Sequence, residues 1–558
     1  MKKLTRYFVL LFFMILNISF LNAQGKKEAD KNKTKSVLAS AFKISGQIGI
    51  YGELYNISGK ENRRPAKTGR VFFRPTITLF NNFNINFDVL LSTEGNYTRQ
   101  SINRISMHPE WSWGRAHIGD FSQQFSNFTL NGETITGGGL ELFPGIFRFE
   151  IVGGRTRRKI DNGLYNSEFA RYLAGIKLGV GKTGGSFFYI NVIKAKDDIS
   201  SLPDYTTGNK SKAQFRLTPK ENLVIGINTN LNLFKFLSMN GEVAASILSR
   251  DQNSSLIESD AIPSFVNDII KIRTSTNVDF AYKGGVKFNT DIFNATGTYS
   301  VINPGYQSLG ITSNINDQKS LTAVLGLRLF KKKLTIRGNF RQQNNNLLSQ
   351  KEFTLTRTSY RISTRYQPLR NISVSINASK NLIKNDAEED VRIIDNVISL
   401  YSINTMWRVK LLNMQHSISA SYSQQKSEDM NVLREGFGSI SKNLNFGIST
   451  MLNKSWTIAP RVSFNIFDMT NRIYRTTQTY SLMVMNRMLK SRLNNSLTFR
   501  LMNSSNVRTM IFGLQSGYRI SKLDIIKISL RSYMYFGKLE NVRDFKEFRS
   551  TISYVHRF

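Results

Sequence analysis

The chain has 558 residues, a formal net charge of +37 at pH 7 and no cysteine. The lack of cysteine excludes disulfide bonds, thiolate metal sites, a cysteine nucleophile and a lipid-anchored lipoprotein. So large a positive charge favours anionic lipid headgroups, acidic glycans or anionic solutes as partners. Nucleic acid is disfavoured because residues 1–23, taken up next, predict that the protein is exported.

Residues 1–23 have the order of a secretory signal peptide: a basic start, an apolar run and a small-residue exit. MKKLTR precedes YFVLLFFMILNISFL, and LNAQ predicts cleavage after Ala23. The alternative, a single membrane anchor, is disfavoured because the apolar run is short for a spanning helix. Residues 24–40, QGKKEADKNKTKSVLAS, are polar and lysine-rich, and we expect a flexible periplasmic lead-in there.

Residues 41–558 alternate apolar and polar side chains along short segments, which predicts strands with one apolar face. ISVSINAS puts Ile372, Val374 and Ile376 on one side and serines and an asparagine on the other. HSISASYS and LTFRLM repeat the pattern. Helical spacing of apolar residues is hard to find beyond the lead-in.

Short connections recur between these segments. They are LFNNFN at 79–84, FPGIF at 143–147, VGKTGG at 180–185, LFKFL at 233–237, DIF at 291–293, FKKKL at 330–334, QPLRN at 367–371, LLNMQ at 411–415, LNKSW at 452–456, MLKSR at 488–492 and ISKLD at 520–524. These turns imply about 24 strands, and a further turn at Gly114 in EWSWGRAHIG would give about 26.

The Gly-Lys-Thr of VGKTGG raises the question of a phosphate-binding loop. Such a loop needs a glycine five residues before Gly181, where Ile176 stands, and it must open a helix. The following SFFYINVI is aromatic and β-branched, which indicates a strand. We therefore predict a hairpin turn with Lys182 exposed.

Long polar connections alternate with the short ones, among them NISGKENRRPAKTG, the 251–275 region, RQQNNNLLSQKE and NLIKNDAEEDVRII. Short turns at one end and long loops at the other are typical of bacterial outer-membrane barrels. An exported sheet in lipid must close on itself to satisfy its edges. We predict an all-β fold: a transmembrane antiparallel β-barrel of about 24–26 strands in the cell outer membrane, with short periplasmic turns and long extracellular loops.

The last strand, RSTISYVHRF, places Phe548, Ile552, Tyr554 and Phe558 on one face. It resembles the C-terminal signal that outer-membrane proteins present to the barrel assembly machinery. The sequence departs from that signal at His556, where an aromatic or aliphatic residue is usual.

Residues 115–158, RAHIGDFSQQFSNFTLNGETITGGGLELFPGIFRFEIVGGRTRR, resemble a stretch of large outer-membrane barrels of the Bacteroidota. These include the translocon barrel of the type IX secretion system, which is several times longer than this chain. The LNAQ exit and the content of asparagine and lysine also suit that phylum. The resemblance implies a Gram-negative outer membrane and raises the possibility of a role in secretion.

Basic residues alternate with apolar ones inside several predicted strands. They are Arg328, Arg337, Arg341, Arg500, Lys527, Arg531 and Arg549. A lipid-facing arginine near the midplane costs about 2–4 kcal/mol, so we expect these side chains to line the lumen. A pore lined by arginine and lysine favours anions. The alternatives are ion pairs with lumen acids, or contact with lipopolysaccharide phosphates at the rim.

No catalytic, metal or cofactor site is predicted. The histidines are His108, His117, His416 and His556, without the spacing of a metal motif. His108 with Glu110, or His117 with Asp120, could form an acid–base pair, and a hydrolase would need one of these histidines within about 6 Å of a carboxylate or serine. We favour lumen-lining or interfacial histidines and no enzymatic activity.

Two acidic clusters could hold a divalent cation, although solvated loops are the preferred interpretation. Their members are Asp386, Glu388, Glu389 and Asp390 in KNDAEEDVR, and Asp197, Asp198 and Asp204 in KAKDDISSLPDY.

Aromatic residues beside turns predict interfacial belts. These are Trp111, Trp113, Trp407, Trp456, Tyr533 and Tyr535.

The function favoured by the sequence is a porin-like channel for hydrophilic, possibly anionic, solutes. The alternative is a non-enzymatic barrel subunit of a secretion or cell-surface assembly complex. The lead-in is too short for the globular plug of an energised receptor. Expected partners are outer-membrane lipids, lipopolysaccharide, the barrel assembly machinery and, in the alternative, proteins of a surface complex.

Overall fold

The computed structural model describes residues 42–94, 102–162, 167–182, 184–202, 217–258, 264–312, 315–434, 436–470, 473–538 and 543–558. The predicted signal peptide and lead-in lie outside the described residues, as does Asp204.

The described chain is almost entirely β-strand. The strands of the first half are β1 Phe42–Ser58, β2 Lys67–Leu79, β3 Phe83–Ser92, β4 Arg104–Trp111, β5 Gly114–Ser122, β6 Thr134–Leu142, β7 Phe147–Arg157, β8 Ala170–Gly181, β9 Phe187–Asp198, β10 Glu221–Phe234, β11 Leu237–Ser249, β12 Thr276–Asn289 and β13 Phe293–Ile302. Those of the second half are β14 Gln318–Leu329, β15 Leu334–Asn344, β16 Leu355–Leu369, β17 Ile372–Asn385, β18 Asp395–Leu411, β19 Met414–Asp429, β20 Gly438–Met451, β21 Trp456–Met469, β22 Ile473–Met488, β23 Leu493–Ser504, β24 Val507–Arg519, β25 Asp524–Gly537 and β26 Phe545–Arg557.

The strands form one closed antiparallel barrel. Each strand pairs with its neighbours in sequence, and β26 pairs with β1 from Gln47 opposite Arg557 to Ser58 opposite Lys546. The Phe558 N–H donates to the Gly46 carbonyl at 3.1 Å, and the Gly46 N–H donates to the Phe558 carbonyl at 2.9 Å, so the chain end is part of this seam. The predicted barrel is confirmed, at the upper strand number of 26.

The extra pair of strands comes from the turn at Gly114, which joins β4 to β5. Every other predicted short turn also joins two strands. Several turns place two non-glycine residues at positive φ, such as Phe80 (φ 50) with Asn81 (φ 60), as a type I′ hairpin turn requires. The Gly-Lys-Thr segment joins β8 to β9, where the Lys182 N–H donates to the Ser186 carbonyl at 3.2 Å, so it is a hairpin connection and not a phosphate loop.

Connections at the opposite end are longer and more varied. They include residues 123–133, 250–275 and 303–317, and they shorten to Ser505 and Asn506 between β23 and β24. One α-helix, α1 Ser264–Ile269, and three 3₁₀ turns lie in these connections among the described residues. No helix in the described part of the chain is long and apolar enough to cross a bilayer.

The barrel has an apolar outer face. Ile362 is 57% exposed, Ile376 51% and Ile403 41%, and the residues on either side of each are polar. A continuous band of exposed apolar side chains around a barrel is unfavourable in water and suits lipid. The alternate residues therefore face the interior.

Single-cysteine labelling tests this assignment on β17, because the chain has no cysteine of its own. In proteoliposomes, we expect the Asn377→Cys variant to react with a membrane-impermeant, water-soluble thiol reagent. The Ile376→Cys variant, one residue away, should stay unlabelled because its side chain faces lipid. Equal labelling of the two variants would contradict the assignment of faces.

Three of the four tryptophans predicted to form an aromatic belt are exposed near the short turns. Trp113, Trp407 and Trp456 are 51%, 46% and 42% exposed at the short-turn end. Tyr533 and Tyr535 were predicted to join such a belt, and this prediction is wrong. The register pairs Tyr533 with Ile511 on the inner face. Both tyrosines line an internal cavity because β25 presents its odd-numbered residues inward.

Candidate functional site

The inner wall of β14–β26 carries a set of arginines and lysines. Pairing places Arg337 opposite Gly326 and Ser363, and Arg341 opposite Thr322 and Ser359. The same alternation puts all seven basic residues nominated from the sequence on the face opposite to the exposed apolar side chains. Arg328 lies near the short turns, where its guanidinium donates to the Thr290 carbonyl at 3.2 Å.

Ten further basic residues share this face and were missed from the sequence. They are Arg357, Arg361, Arg365, Arg408, Lys410, Arg461, Arg475, Arg487, Arg519 and Arg557. The sequence signal was available in RTSYRISTR, where arginine recurs at every second inward position of β16. Between the arginines, the wall is built of serine, threonine and asparagine.

Acidic residues are almost absent from this wall. In β14–β26, the described inward positions hold only Asp429 and Glu547 as acids, both close to the long-loop end. Among the basic residues of the wall in the described chain, Arg549 alone forms an ion pair, with Glu53 at 2.7 Å. We call the inner face of β14–β26 the basic wall.

The inner wall of β2–β9 differs because most of its charges are paired. Asp88 contacts Arg74 at 2.8 Å and Arg104 at 2.7 Å. Arg171 contacts Asp197 at 2.7 Å. Paired charges largely cancel each other's field at a distance. The net positive potential of the lumen therefore comes mainly from the basic wall.

Residues 123–133, which we call the inserted loop, fold from the long-loop end into the barrel interior. Phe125, Phe128 and Leu130 are 3%, 6% and 0% exposed. They pack in one apolar cluster with inward residues of β6–β12, among them Val152 and Leu173. Apolar side chains on this inner wall are thus buried under the loop and do not face water.

Hydrogen bonds fix the tip of the inserted loop across several strands. The Glu242 carboxylate of β11 accepts from the Phe128 N–H at 2.7 Å and from the Asn127 side-chain amide at 2.9 Å. Glu242 thus binds both the backbone and a side chain at the tip of the loop, and these two hydrogen bonds hold the tip deep in the barrel. The loop is therefore anchored to the wall at mid-strand.

A second loop, residues 303–312, lies over the inserted loop. The Tyr306 hydroxyl donates to the Phe128 carbonyl at 2.6 Å, and the Ser308 hydroxyl donates to the Thr129 carbonyl at 2.6 Å. Burial raises the pKa of Tyr306 well above its ordinary value, so the phenol keeps the proton that it donates. The Leu309 N–H donates to the Asn222 side chain of β10 at 2.9 Å, which ties both loops to the wall.

Small residues make room for the inserted loop. A Cβ on Gly226 would lie 2.6 Å from the Thr129 methyl group, and a Cβ on Gly175 would lie 3.1 Å from the Phe125 ring. Ala195, Ala244 and Ala281 are also fully buried on this wall. The close approach of the loop backbone to the strands depends on these positions.

Glu133 lies at the end of the inserted loop and is 6% exposed. Burial raises the pKa of its carboxyl, although Arg157, 3.8 Å away, and Arg171 oppose the shift. One of its oxygens is buried without a hydrogen-bond partner. Its charged form is thus disfavoured compared with an exposed glutamate.

A buried ion pair supports the wall under the inserted loop. Lys177 Nζ lies 2.9 Å from Glu150, and each side chain is 9% exposed. The Lys177 ammonium also lies over the Tyr189 ring at 4.8 Å and the Phe125 ring at 5.8 Å. The pair thus links β7 and β8 to the loop.

The Lys177→Met substitution is expected to destabilise the barrel by about 3–5 kcal/mol, because it leaves the Glu150 carboxylate buried without its counter-charge. Urea unfolding of the refolded protein in detergent, followed by tryptophan fluorescence, measures the change. Lys287→Met is the matched control, since Lys287 is exposed on β12 without an ion pair in the described chain, and should change stability by less than about 0.5 kcal/mol. Equal effects of the two substitutions would contradict the role of the pair.

The two histidine–carboxylate pairs considered as an alternative in the sequence do not form. His108 contacts the Ser106 hydroxyl at 3.0 Å and His117 at 2.9 Å, and His117 contacts Glu141 at 2.5 Å. Glu110 instead pairs with Arg115 at 2.7 Å. A cross-strand neighbour lies closer than a residue two apart on the same strand, which explains why His108 contacts His117 and not Glu110.

These contacts meet the distance requirement for a hydrolase, and Ser106, His108 and His117 line a cavity of about 420 Å³. The only serine in contact with the histidines in the described chain is Ser106, which is 3% exposed. The other two histidines lie near the short turns, where His416 contacts the Thr450 hydroxyl at 2.9 Å and His556 contacts Asp524 at 2.7 Å. The cluster of His108 and His117 lies on the inner wall of β4–β6, beside the pair of Glu110 and Arg115.

The acidic loops do not form a cation site in the described chain, which holds no group of three or more histidines and acids arranged around one point. Asp386 accepts from the Thr354 N–H, and this hydrogen bond lowers the pKa of its carboxyl. Glu389 pairs with Arg392 at 3.1 Å. Asp198 accepts from the Ser200 N–H at 3.0 Å in a local cap.

No known family model matches the chain, and no curated protein sequence matches it. Among solved structures, the chain is similar at low identity to several outer-membrane barrels. The P pilus usher (PapC) translocation pore is 11% identical with a TM-score of 0.38, over 92% of this chain and 99% of the usher chain. The siderophore receptor PirA from Pseudomonas aeruginosa is 10% identical with a TM-score of 0.41, over 92% and 80%.

Pseudomonas aeruginosa OccK5 (OpdH) is 10% identical with a TM-score of 0.31, over 61% of this chain and 93% of that chain. The chain itself provides the features that define the architecture: closure of the sheet, an apolar outer face, and short turns at one end. The chain folds as a closed, 26-stranded antiparallel β-barrel of the outer-membrane type.

Proposed function

We propose that this protein is an outer-membrane channel through which hydrophilic anions diffuse. The observation that carries the proposal is the basic wall, on which unpaired arginines and lysines face the interior with almost no acids beside them. Wall charges of one sign attract ions of the opposite sign into a pore and repel the others.

The inserted loop and the second loop complete the proposed pathway. Barrels with more strands than the 16–18 of porins enclose a wide lumen, which would pass solutes with little selection if nothing filled it. The two loops cover the wall of β6–β12 and leave the basic wall uncovered. Solutes would then pass between the loops and the arginines, close enough to sense their charge.

The short turns would face the periplasm and the long loops the cell surface, as in other outer-membrane barrels. Lipid, including lipopolysaccharide, would contact the apolar outer face. Phe548, Ile552 and Tyr554 are 45%, 55% and 37% exposed on that face of β26, where the barrel assembly machinery could recognise them. Phe558 lies at the seam, where its ring is 6.3 Å from that of Phe73.

Reconstitution of the purified mature chain in a planar bilayer tests the proposal. Conductance and reversal potential would be recorded under a potassium chloride gradient. We expect stable conductance and a reversal potential of the sign that a channel more permeable to chloride than to potassium would give. A folded, heat-modifiable barrel without conductance, or one that prefers potassium, would overturn it.

A second function, a barrel subunit of a secretion or surface-assembly complex, is favoured by one observation. The inserted loop falls in residues 115–158, the stretch that resembles large secretion barrels. In this function the interior would be occupied by loops and a partner protein. It predicts no conductance from the purified chain and a stable complex after gentle solubilisation of membranes.

A further inference from the structure

A cavity of about 980 Å³ opens at the long-loop end, beside the seam between β1 and β26. Its lining comes from the loop after β1, from β25 and from the start of β26. Six basic residues contribute to it: Lys60, Arg63, Arg64, Arg531, Arg543 and Arg549. The acids of the lining are Glu61 and Glu547, so positive charge is in excess.

Part of this charge is held in place by one buried carboxylate. Glu53 is 8% exposed and pairs with Arg549 at 2.7 Å and with Arg64 at 3.1 Å. A single carboxylate cannot neutralise two guanidinium groups. The shared partner fixes the two arginines and leaves one positive charge uncompensated at the cavity wall.

Arg531 adds a second uncompensated charge directly beside the first. The register of β25 and β26 places Arg531 opposite Arg549 on the same face. Like charges directly opposite one another in a sheet are destabilising. In the described chain Arg531 has no acidic partner, so an anion bound between the two guanidinium groups would relieve their repulsion.

Aromatic rings continue the same wall of the cavity toward the long loops, where Tyr533 and Tyr535 follow Arg531 on β25 and Phe545 lies opposite Tyr535 on β26. The Tyr535 and Phe545 rings stack at 4.7 Å with an angle of 21°, and the Tyr533 and Phe545 rings stack at 5.7 Å with an angle of 20°. Within the described residues, neither tyrosine hydroxyl has a hydrogen-bond partner in the protein. Arg63 lies over the Phe545 ring at 5.3 Å, which brings a further guanidinium to the aromatic surface.

We infer that this cavity binds an anion that carries several carboxylate or phosphate groups on a planar ring. Guanidinium groups bind such oxyanions through paired hydrogen bonds, and aromatic side chains stack on a planar ring. The volume lies within the range of small-molecule sites. The inference deepens the proposed anion channel, since the site would concentrate one class of solute at the outer mouth of the basic wall.

Calorimetric titration of the refolded full-length barrel in detergent tests the site. The probe is pyromellitate, a benzene ring with four carboxylates, and the comparison probe is butane-tetracarboxylate, which has the same charge and no ring. We expect pyromellitate to bind and butane-tetracarboxylate to bind at least about tenfold more weakly, a difference of about 1.4 kcal/mol. Comparable binding of the two probes, or no binding of pyromellitate, would overturn the inference.

Two variants locate the binding in this cavity. Arg531→Gln should weaken pyromellitate binding about tenfold or more, as expected for loss of a hydrogen bond between charged groups. Arg531 and its like-charged neighbour repel, so this variant should fold at least as well as the native chain. Lys331→Gln, at the opposite end of the barrel, removes the same charge and should leave binding unchanged. Equal binding by Arg531→Gln and the native chain would refute the site.

The titration needs no bilayer, so the two proposals fail separately. A barrel that binds pyromellitate and conducts no ions would refute the channel and leave the site standing. A barrel that conducts anions and does not bind pyromellitate would refute the site and leave the channel standing.

Discussion

Replacing Arg337 and Arg341 together with glutamate is expected to abolish the anion preference of the channel. Both residues face the interior near the middle of β15, and each substitution changes the local charge from positive to negative. A unit charge about 4 Å from an ion contributes about 1 kcal/mol even in bulk water. The double substitution should therefore lower the ratio of chloride to potassium permeability by roughly 5–30-fold, the factor that 1–2 kcal/mol represents.

The reversal potential under a salt gradient measures this ratio directly. The matched control is Lys331→Glu with Lys332→Glu, in the turn of the same hairpin, because it changes the net charge by the same amount at the end of the barrel. Salt screens these exposed turn charges over about 10 Å at 0.1 M, so the control should shift the ratio far less. Equal shifts in the two double variants would mean that overall charge, and not the basic wall, sets selectivity.

Strand number and closure could be predicted because both depend on local sequence. Alternation gives each strand and its apolar face, and a two-residue turn such as Phe80-Asn81 is marked by a break in that alternation. The turn at Gly114 was the uncertain one, because the strands beside it are short and carry tryptophan and histidine in place of aliphatic residues. The structure includes this turn, which raises the number of strands from 24 to 26.

The basic wall could be predicted only in part. The seven nominated residues have clearly apolar neighbours, as Arg500 does in LTFRLM, so alternation assigned their face. Arg357, Arg361 and Arg365 lie among serine, threonine and tyrosine, where the two faces differ less in polarity. For such strands the face is set by pairing with β15 and β17, which a single strand does not reveal.

The inserted loop was missed because its contacts are distant in sequence. Phe128 binds Glu242, and Thr129 binds Ser308, across more than a hundred residues. One local signal was present: the LAGI segment of β8 is apolar or glycine at the inward positions Leu173 and Gly175 as well as at the outward ones. Strands apolar on both faces are expected where both faces are covered, and here the second cover is the loop.

Shortening the inserted loop is expected to widen the channel. Replacing residues 125–131 with a short glycine-serine linker removes Phe125, Phe128 and Leu130 from the interior and breaks both bonds to Glu242. The strand ladder does not include these residues, so the barrel should still close. Single-channel conductance should rise severalfold and anion preference should weaken, because ions would pass farther from the basic wall.

This variant also loses stability, and the loss is a separate measure of how the loop is seated. Burial of a large apolar side chain contributes about 1.5–3 kcal/mol, so removing the buried residues of the loop should lower the unfolding free energy by several kcal/mol. Where refolding of the shortened chain fails, Gly226→Val tests the same seat, because its Cβ would lie 2.6 Å from the Thr129 methyl group. Gly297→Val is the matched control, since no atom lies within 4 Å of a Cβ at that position.

Gly226→Val should displace the tip of the loop and raise the conductance or its fluctuations, whereas Gly297→Val should reproduce the native channel. Unchanged conductance in both the shortened chain and Gly226→Val would place the ion pathway away from the loop. In that case the loop would serve only to cover the apolar wall of β6–β12, and the selectivity of the channel would have to arise at the mouths of the barrel. A rise in conductance without loss of anion preference would instead mean that the basic wall acts across the full width of the lumen.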